Sequence, residues 1–452
     1  MNQKRLSWVT RRKTKWRLST DSEDCNIKMK FQLHKIQQAA GRLATLSELG
    51  RRGNVSMETP DCMLYTRCGS APHLSHALLG GIDGVPAVTH IPLPTIVESV
   101  EILEAFGQGV AAFTGRPDAV VCTSTQDPRE STPTGYNDKN SVSVWASGGR
   151  RKLTVEGFLD LQEALQPDWM EALADGDTPV SSSTKRVKKS VDRTLEFLDQ
   201  CLDAQRRRQQ KLRDIDVFGV IEGGELLEER LRSACETAKR PVAGFVLDGF
   251  HEESMDDRAR WGIMKAVLDE IPEDKPRCLP RVGRPDEVLD AVELGVDIFD
   301  SVFPYDVTER GCALVFSFMP VPSAQNDDIV SRPAPDGPVS GAVADRGGGT
   351  TCDLERQGGN GDLNGRTVYE MNLSDQRYVD DFTAVVVGCQ CYCCINHTRA
   401  YINHLINAKE LLARVLLMIH NFHHYFRFFR SIRKALQDGT LQELKAEINN
   451  CR

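Results

Sequence analysis

The chain lacks any apolar run approaching about 18 residues, so no membrane-spanning helix is expected. It also lacks the long apolar core of a secretory signal near its start. Acidic residues are missing up to Thr20, whereas Lys4, Arg5, Arg11, Arg12, Lys13, Lys15 and Arg17 are present. That bias reads either as a mitochondrial transit-like segment or as a solvated basic tail upstream of Met29. The second is adopted, with residues 1–28 expected to be a disordered extension. A net positive charge is missing too. At −8, the chain cannot bind nucleic acid by charge alone and would need a local basic patch. Lys185, Arg186, Lys188 and Lys189, with Arg206-Arg207-Arg208, are the candidates in the body of the chain, although such runs are more often a solvated helix face. Cysteine is plentiful at 14, but four crowd into Cys389–Cys394 and the rest are scattered. That is no secreted disulfide framework and fits a reducing compartment.

Short apolar segments alternate with longer amphipathic ones from Met63 to Val282 and beyond. Strands are expected at Val142–Trp145, Val217–Ile221, Phe245–Leu247, Cys278–Val282 and Val296–Phe299. Helices are expected at Val155–Leu165, Thr184–Leu202, Glu225–Lys239, Met255–Ile271 and Asp286–Leu294. Recurring strand, polar turn and helix favour a parallel sheet with helical crossovers. The repeat count suits an α/β fold of the TIM-like (β/α)8 class, with residues 29–319 as its main part. A doubly wound sheet is the rival, but no Gly-x-Gly-x-x-Gly follows the first strand. In a barrel, chemistry sits at the C-terminal ends of strands, where Glu222, Asp248 and Asp300 fall.

Residues 320–378 are rich in Gly, Ser, Asp and Pro and are read as a disordered insertion. Residues 379–452 are expected to form a zinc-binding helical region that completes the barrel, with helices over Arg399–Ala413 and Val415–Leu436. Cys389-x-Cys391-x-x-Cys394 brings three thiolates together in one loop, and His420 is well placed as the fourth ligand. Zinc favours such a closed tetrahedral sulfur and nitrogen set, so one structural Zn2+ is expected. Cys393 could replace Cys394, and His423 or His424 could compete with His420. The aromatic run Phe422, Tyr425, Phe426, Phe428 and Phe429 reads as core or as the border of a subunit interface.

Two stretches carry a family. Val282-Gly-Arg-Pro-Asp-Glu-Val-Leu-Asp-Ala-Val-Glu-Leu-Gly-Val-Asp-Ile-Phe-Asp300 resembles the tRNA-guanine transglycosylases. So does the cysteine motif with its downstream His-Thr-Arg399-Ala-Tyr401-x-x-His404-Leu405 and His420-Asn421. The resemblance runs from about Cys62 to Leu436 and implies a zinc-bearing barrel that exchanges guanine at the tRNA wobble position for a modified base, queuine in eukaryotes. It puts Asp300 at the nucleophile position, Asp175 at a base-recognising aspartate and Gly249 at a pocket glycine.

The departures are as informative. The second catalytic aspartate of an Asp-Ser-Gly-Gly stretch has no counterpart, the nearest string being Ala146-Ser147-Gly148-Gly149. A pocket glutamine is replaced by Glu222, an acceptor-only group if ionised. Asp248 replaces a glycine and would crowd the pocket. Asp306 and Glu309 stand where the family has cations for tRNA phosphates, and would repel the backbone.

These losses resemble the non-catalytic subunit of the eukaryotic enzymes, as do Ser70-Ala-Pro-His73, Val217–Glu229 and Phe303–Gly311. The resemblance then implies a heterodimer with a catalytic subunit, tRNA engaged through the complex, and a cytoplasmic location with peripheral attachment to the mitochondrial outer membrane. Asp300 would be a relic, its plain reading being a strand-end acid that caps the next segment. The alternatives are an active transglycosylase using Asp300 as nucleophile, and an RNA-binding scaffold.

Overall fold

A computed structural model describes residues 27–34, 41–179, 181–208, 212–251, 255–318 and 367–450. The basic extension up to residue 26 and most of the insertion lie outside the described residues.

The parallel sheet closes on itself. Asp61–Cys62 pairs in parallel with Ile298–Phe299, and two residues later Leu64–Tyr65 pairs in parallel with Val88–Pro92. One segment therefore bridges both edges. The order continues through Val120–Ser124, Trp169–Glu171, Asp216–Ile221, Gly244–Leu247 and Arg277–Cys278 back to Ile298–Phe299. Eight segments so joined are the strands of a (β/α)8 barrel, which leaves no open edge.

The crossover helices form where apolar periodicity and caps agree. Val155–Leu165 starts at Thr154, whose hydroxyl accepts from the Gly157 N–H, and buries Phe158, Leu159 and Leu161. Thr184–Arg207 starts at Ser183, which accepts from the Arg186 N–H. It runs one turn beyond the expected Leu202 because Ala204 continues the buried stripe. The other crossovers, Leu227–Ala238, Asp257–Glu270 and Pro285–Leu294, match expectation to within a few residues.

Several features differ from the sequence reading. Helix Arg399–Asn407 stops short of the expected Ala413, and the next helix already begins at Leu411, ahead of the expected Val415. Val142–Trp145 is extended, but it belongs to an antiparallel hairpin, Ser141–Ala146 with Gly149–Thr154, outside the barrel. The N-terminal part carries an unexpected three-stranded antiparallel sheet, Lys30–His34, Leu43–Leu49 and Val55–Thr59. Its Leu46, Leu49 and Met57 pack with Val88, Val120, Trp169 and Phe218 of the barrel strands in a second core cluster. The insertion also ends earlier than residue 378. Glu370–Asn372 pairs with Cys312–Leu314, and Tyr369 and Leu373 are fully buried. Those two apolar anchors offset the entropy of ordering this segment.

The long helix Leu411–Asp438 closes the ring of helices. Phe429 meets Phe299 of the last barrel strand at 5.6 Å, Tyr425 donates to the Gly283 carbonyl at 2.9 Å, and Arg433 donates to the Pro60 carbonyl at 2.9 Å. All five residues of its aromatic run are buried, so that run is core.

Candidate functional site

The C-terminal ends of the barrel strands surround an open pocket lined by His90, Ser124, Gln126, Glu171, Asp248 and Arg281, among others. Of the sequence candidates, Asp248 reaches this wall; Asp175, Glu222, Gly249 and Asp300 are not among the lining residues.

Asp300 is buried, and both of its oxygens are taken by main chain. Oδ2 accepts from the Arg281 N–H at 2.6 Å, and Oδ1 accepts from the Val302 N–H at 2.9 Å. Burial pushes its carboxyl up to about 6, against the pull of those two N–H groups. The second of those bonds ties it to the start of helix Val302–Glu309. Beside it, Ser301 Oγ accepts from the Tyr65 N–H at 2.8 Å, which joins the last barrel strand to the first.

Asp175 is more heavily engaged. Its oxygens accept from Arg186 at 2.6 and 3.0 Å, Arg193 at 2.9 Å and Asn137 at 3.0 Å. Two guanidiniums and an amide therefore occupy a fully buried carboxylate, which has little capacity left for a purine edge.

Glu222, buried, and Asp248, half-buried at the pocket wall, form an acid pair across Gly176. A Cβ on Gly176 would stand 2.7 Å from Asp248 Oδ2 and 3.1 Å from Glu222 Oε1. Burial and the Asp248 charge push the Glu222 carboxyl well above the usual range. That shift favours the protonated form, which keeps an O–H donor as the glutamine amide keeps an N–H. Arg230, fully buried beneath the pair, donates to the carbonyls of Ile221, Gly224 and Asp248 at 2.7–2.8 Å. Gly223 and Gly249 are required here. Both have positive φ, and a Cβ would come within 3.0 Å of Arg230.

Sequence reasoning missed Asp127, His90, Glu171 and Arg281. Asp127, just past strand Val120–Ser124, is buried and accepts from the Tyr65 hydroxyl at 3.0 Å. The Ala146-Ser147-Gly148-Gly149 string is the hairpin turn, so it supplies no barrel-end carboxylate. His90 Nε2 lies 2.7 Å from Ser124 Oγ, which spends its own proton on the Gln126 carbonyl. The histidine must donate there, and burial holds its pKa down to about 4, so it is neutral.

Glu171 is pushed up to about 8 by burial, with Asp248 and Asp300 adding to it. The folded chain keeps this proton between pH 4.5 and 8, where the unfolded chain has released it, so stability falls as pH rises through that window. Glu171→Gln should abolish this slope. The variant is expected to melt several degrees above the parent at pH 8 and level with it below pH 4.5, as read by thermal melts across the range.

The two acids expected to repel RNA have partners within the chain. Asp306 pairs with Arg129 at 2.9 Å, and Glu309 lies 2.7 Å from His73. Arg129 stacks over Tyr305 at 4.6 Å.

The second centre lies in the C-terminal region. Cys389, Cys391, Cys394 and His420 place their donor atoms within 4.8 Å of one another. His420 Nδ1 stands 3.9, 3.5 and 3.3 Å from the three sulfurs. A tetrahedral ion with bonds of about 2.0–2.3 Å spaces its ligands on this scale, so the group fits one metal ion. The loop is set by Cys391, which caps helix Tyr392–Asn396 and accepts from the Cys394 N–H at 3.4 Å. His420 Nε2 donates to the Leu314 carbonyl at 2.9 Å, which fixes Nδ1 as the free lone pair facing the thiols. Asn421 accepts from the Leu314 N–H at 2.8 Å and donates to the Cys312 carbonyl at 3.0 Å, locking the same register. Cys393 is buried apart from the group, and His424 is spent on the Phe316 carbonyl at 3.0 Å.

Comparison with known proteins agrees with this architecture. The family model described as queuine tRNA-ribosyltransferase matches residues 37–452. Queuine tRNA-ribosyltransferase accessory subunit 2 of Xenopus laevis is 49% identical over 417 residues, 92% of this chain and 98% of that one. The human protein of the same name is 46% identical over 423 residues, covering 93% and 99%. That of Ixodes scapularis is 38% identical over 413 residues, covering 89% and 96%. With a closed barrel, a three-cysteine, one-histidine group and a match over most of its length, the chain belongs to the queuine tRNA-ribosyltransferase family.

Proposed function

We propose that this chain is the non-catalytic subunit of a heterodimer that exchanges guanine for queuine at the wobble position of tRNAs with GUN anticodons. The observation that carries this is the state of Asp300. Both of its oxygens are held by main-chain N–H groups. Each oxygen keeps a second lone pair, so what removes Asp300 from attack on a ribose carbon is its burial and its absence from the pocket lining. The nearby Asp127 is likewise tied to Tyr65 and to the Arg129 N–H.

The metal is zinc on this reading, because three thiolates and one imidazole with no open position suit a structural zinc site. The cytoplasmic location and peripheral mitochondrial attachment belong to the same proposal. In its support, the described cysteines outside the metal group are free thiols, as a reducing compartment keeps them.

The docking face for the catalytic partner is proposed on the metal subdomain. Phe382, Val387, Tyr392, Ile395, Tyr401 and Leu411 are all exposed there, Phe382 at 76% and Leu411 at 78%. Large apolar side chains gathered in one part of a surface mark protein contacts. Ile395→Glu should weaken association with the catalytic subunit by roughly tenfold or more, as for a central interface residue. Sedimentation or calorimetric titration reads the affinity, and an unchanged melting temperature shows that the fold is intact. The function as a whole is tested by labelled queuine incorporation into such a tRNA, with this chain alone and with the catalytic subunit.

A further inference from the structure

We propose that the hairpin Ser141–Ala146/Gly149–Thr154 is a contact surface for the sugar–phosphate backbone of RNA beside the barrel mouth. This rests on the function above for the identity of that RNA as tRNA.

The chain as a whole is acidic, yet residues 136–154 hold four cations, Lys139, Arg150, Arg151 and Lys152, against the single acid Asp138. All four cations are exposed. In the antiparallel register Trp145 faces Arg150 and Ser143 faces Lys152, so Arg150 and Lys152 share one face. They are held by rings more than by acids. Arg150 lies over Tyr136 at 4.9 Å, and Tyr136 meets Trp145 edge-on at 5.2 Å. Lys152 has a 3.3 Å pair with Asp138, but both groups are about half exposed, where such a pair contributes little.

The Arg206-Arg207-Arg208 run, by contrast, is spent. Arg206 pairs with Asp203 at 2.6 Å, and Arg208 pairs with Glu156, with Asp160 at 2.7 Å and with Glu163 at 3.2 Å. The hairpin keeps its charge available. Exposed guanidiniums on aromatic rings suit RNA, offering phosphate contacts and planes on which unpaired bases stack.

The hairpin is also rigid and well placed. Glu98 fixes its turn, accepting from Ser147 Oγ at 2.6 Å and from the Gly148 N–H at 2.7 Å. It lies in the connection leaving the C-terminal end of strand Val120–Ser124, the side on which the pocket opens. Asn137, which leads into it, bonds Asp175, as does Arg186 at the start of the helix that carries exposed Lys185, Lys188 and Lys189. Asp175 therefore ties the approach to the hairpin to the start of that basic helix.

The test is the triple variant Arg150→Gln, Arg151→Gln and Lys152→Gln in the full chain, mixed with the catalytic subunit. Binding of an unmodified tRNA with a GUN anticodon is measured across salt concentrations. The expected result is roughly tenfold weaker binding at physiological salt, with a log–log salt slope shallower by about two. An unchanged affinity and slope, in a complex that still exchanges queuine, would overturn the hairpin assignment alone. A wild-type complex that neither binds nor exchanges overturns the functional reading and the assignment together. If the variant instead loses only its binding to phosphatidylcholine–phosphatidylserine vesicles, the patch is a membrane contact and the RNA assignment fails.

Discussion

Cys391→Ala is expected to lower the bound metal from one ion per chain to none and to unfold the C-terminal subdomain. Cys391 supplies a ligand and also caps helix Tyr392–Asn396 through its sulfur. Removing it leaves two thiols and an imidazole, too few for a closed site. A structural zinc contributes on the order of 10 kcal/mol to the folding of such a segment. The damage should spread beyond the loop. His420 and Asn421 fasten the long helix to Cys312–Leu314, and that helix packs against the last barrel strand through Phe429. Elemental analysis reads the metal, and limited proteolysis reads the helix. Cys393→Ala is the control: that sulfur is outside the quartet, so the variant should keep its ion and lose only local packing.

Asp175→Asn should destabilise the chain by about 3–5 kcal/mol, the cost of breaking a buried ion pair from one side. The amide keeps the shape but removes the charge that holds Arg186 and Arg193, whose side chains are 24% and 11% exposed. One of its two end groups would also point an N–H at a guanidinium. The melting temperature reads the loss. An active base-binding aspartate would behave differently, with substrate affinity falling and stability nearly unchanged. The second pattern would show that Asp175 is not the structural anchor its four hydrogen bonds describe.

What was legible in the sequence follows from what each element has to advertise. Val155–Leu165 and Pro285–Leu294 show an apolar stripe, together with a capping threonine in the first and a C-terminal glycine in the second. Strands Val88–Pro92 and Val120–Ser124 are buried on every residue, so they lack the alternation that betrays a half-buried strand, and they went unread. Trp169–Glu171 has only three residues. Strand Lys30–His34 is mostly exposed and looks like loop. The hairpin's first strand, Ser141–Ala146, alternates polar and apolar residues, which is why it reads as a barrel strand.

The sites divide in the same way. The cysteine quartet was legible because three ligands share one short loop and their chemistry is distinctive. The barrel-mouth acids were legible only by position. Strand-end reasoning found Glu222, Asp248 and Asp300, and it would have found Asp127 had Val120–Ser124 been recognised. It could not show that Asp300 is held by the Arg281 main chain or that Asp175 is clamped by arginines, because those partners lie 11 to 19 residues away in sequence.

The most direct test of the central claim is labelled queuine incorporation into a GUN-anticodon tRNA, comparing this chain alone, the chain with its catalytic partner, and the same mixture carrying Asp300→Ala. The account predicts no incorporation by the chain alone. It predicts incorporation by the mixture at a rate that Asp300→Ala leaves within about twofold, since the lost contacts are structural and not catalytic. Incorporation by the chain alone, abolished by Asp300→Ala in a variant that still folds, would contradict it and make Asp300 a nucleophile.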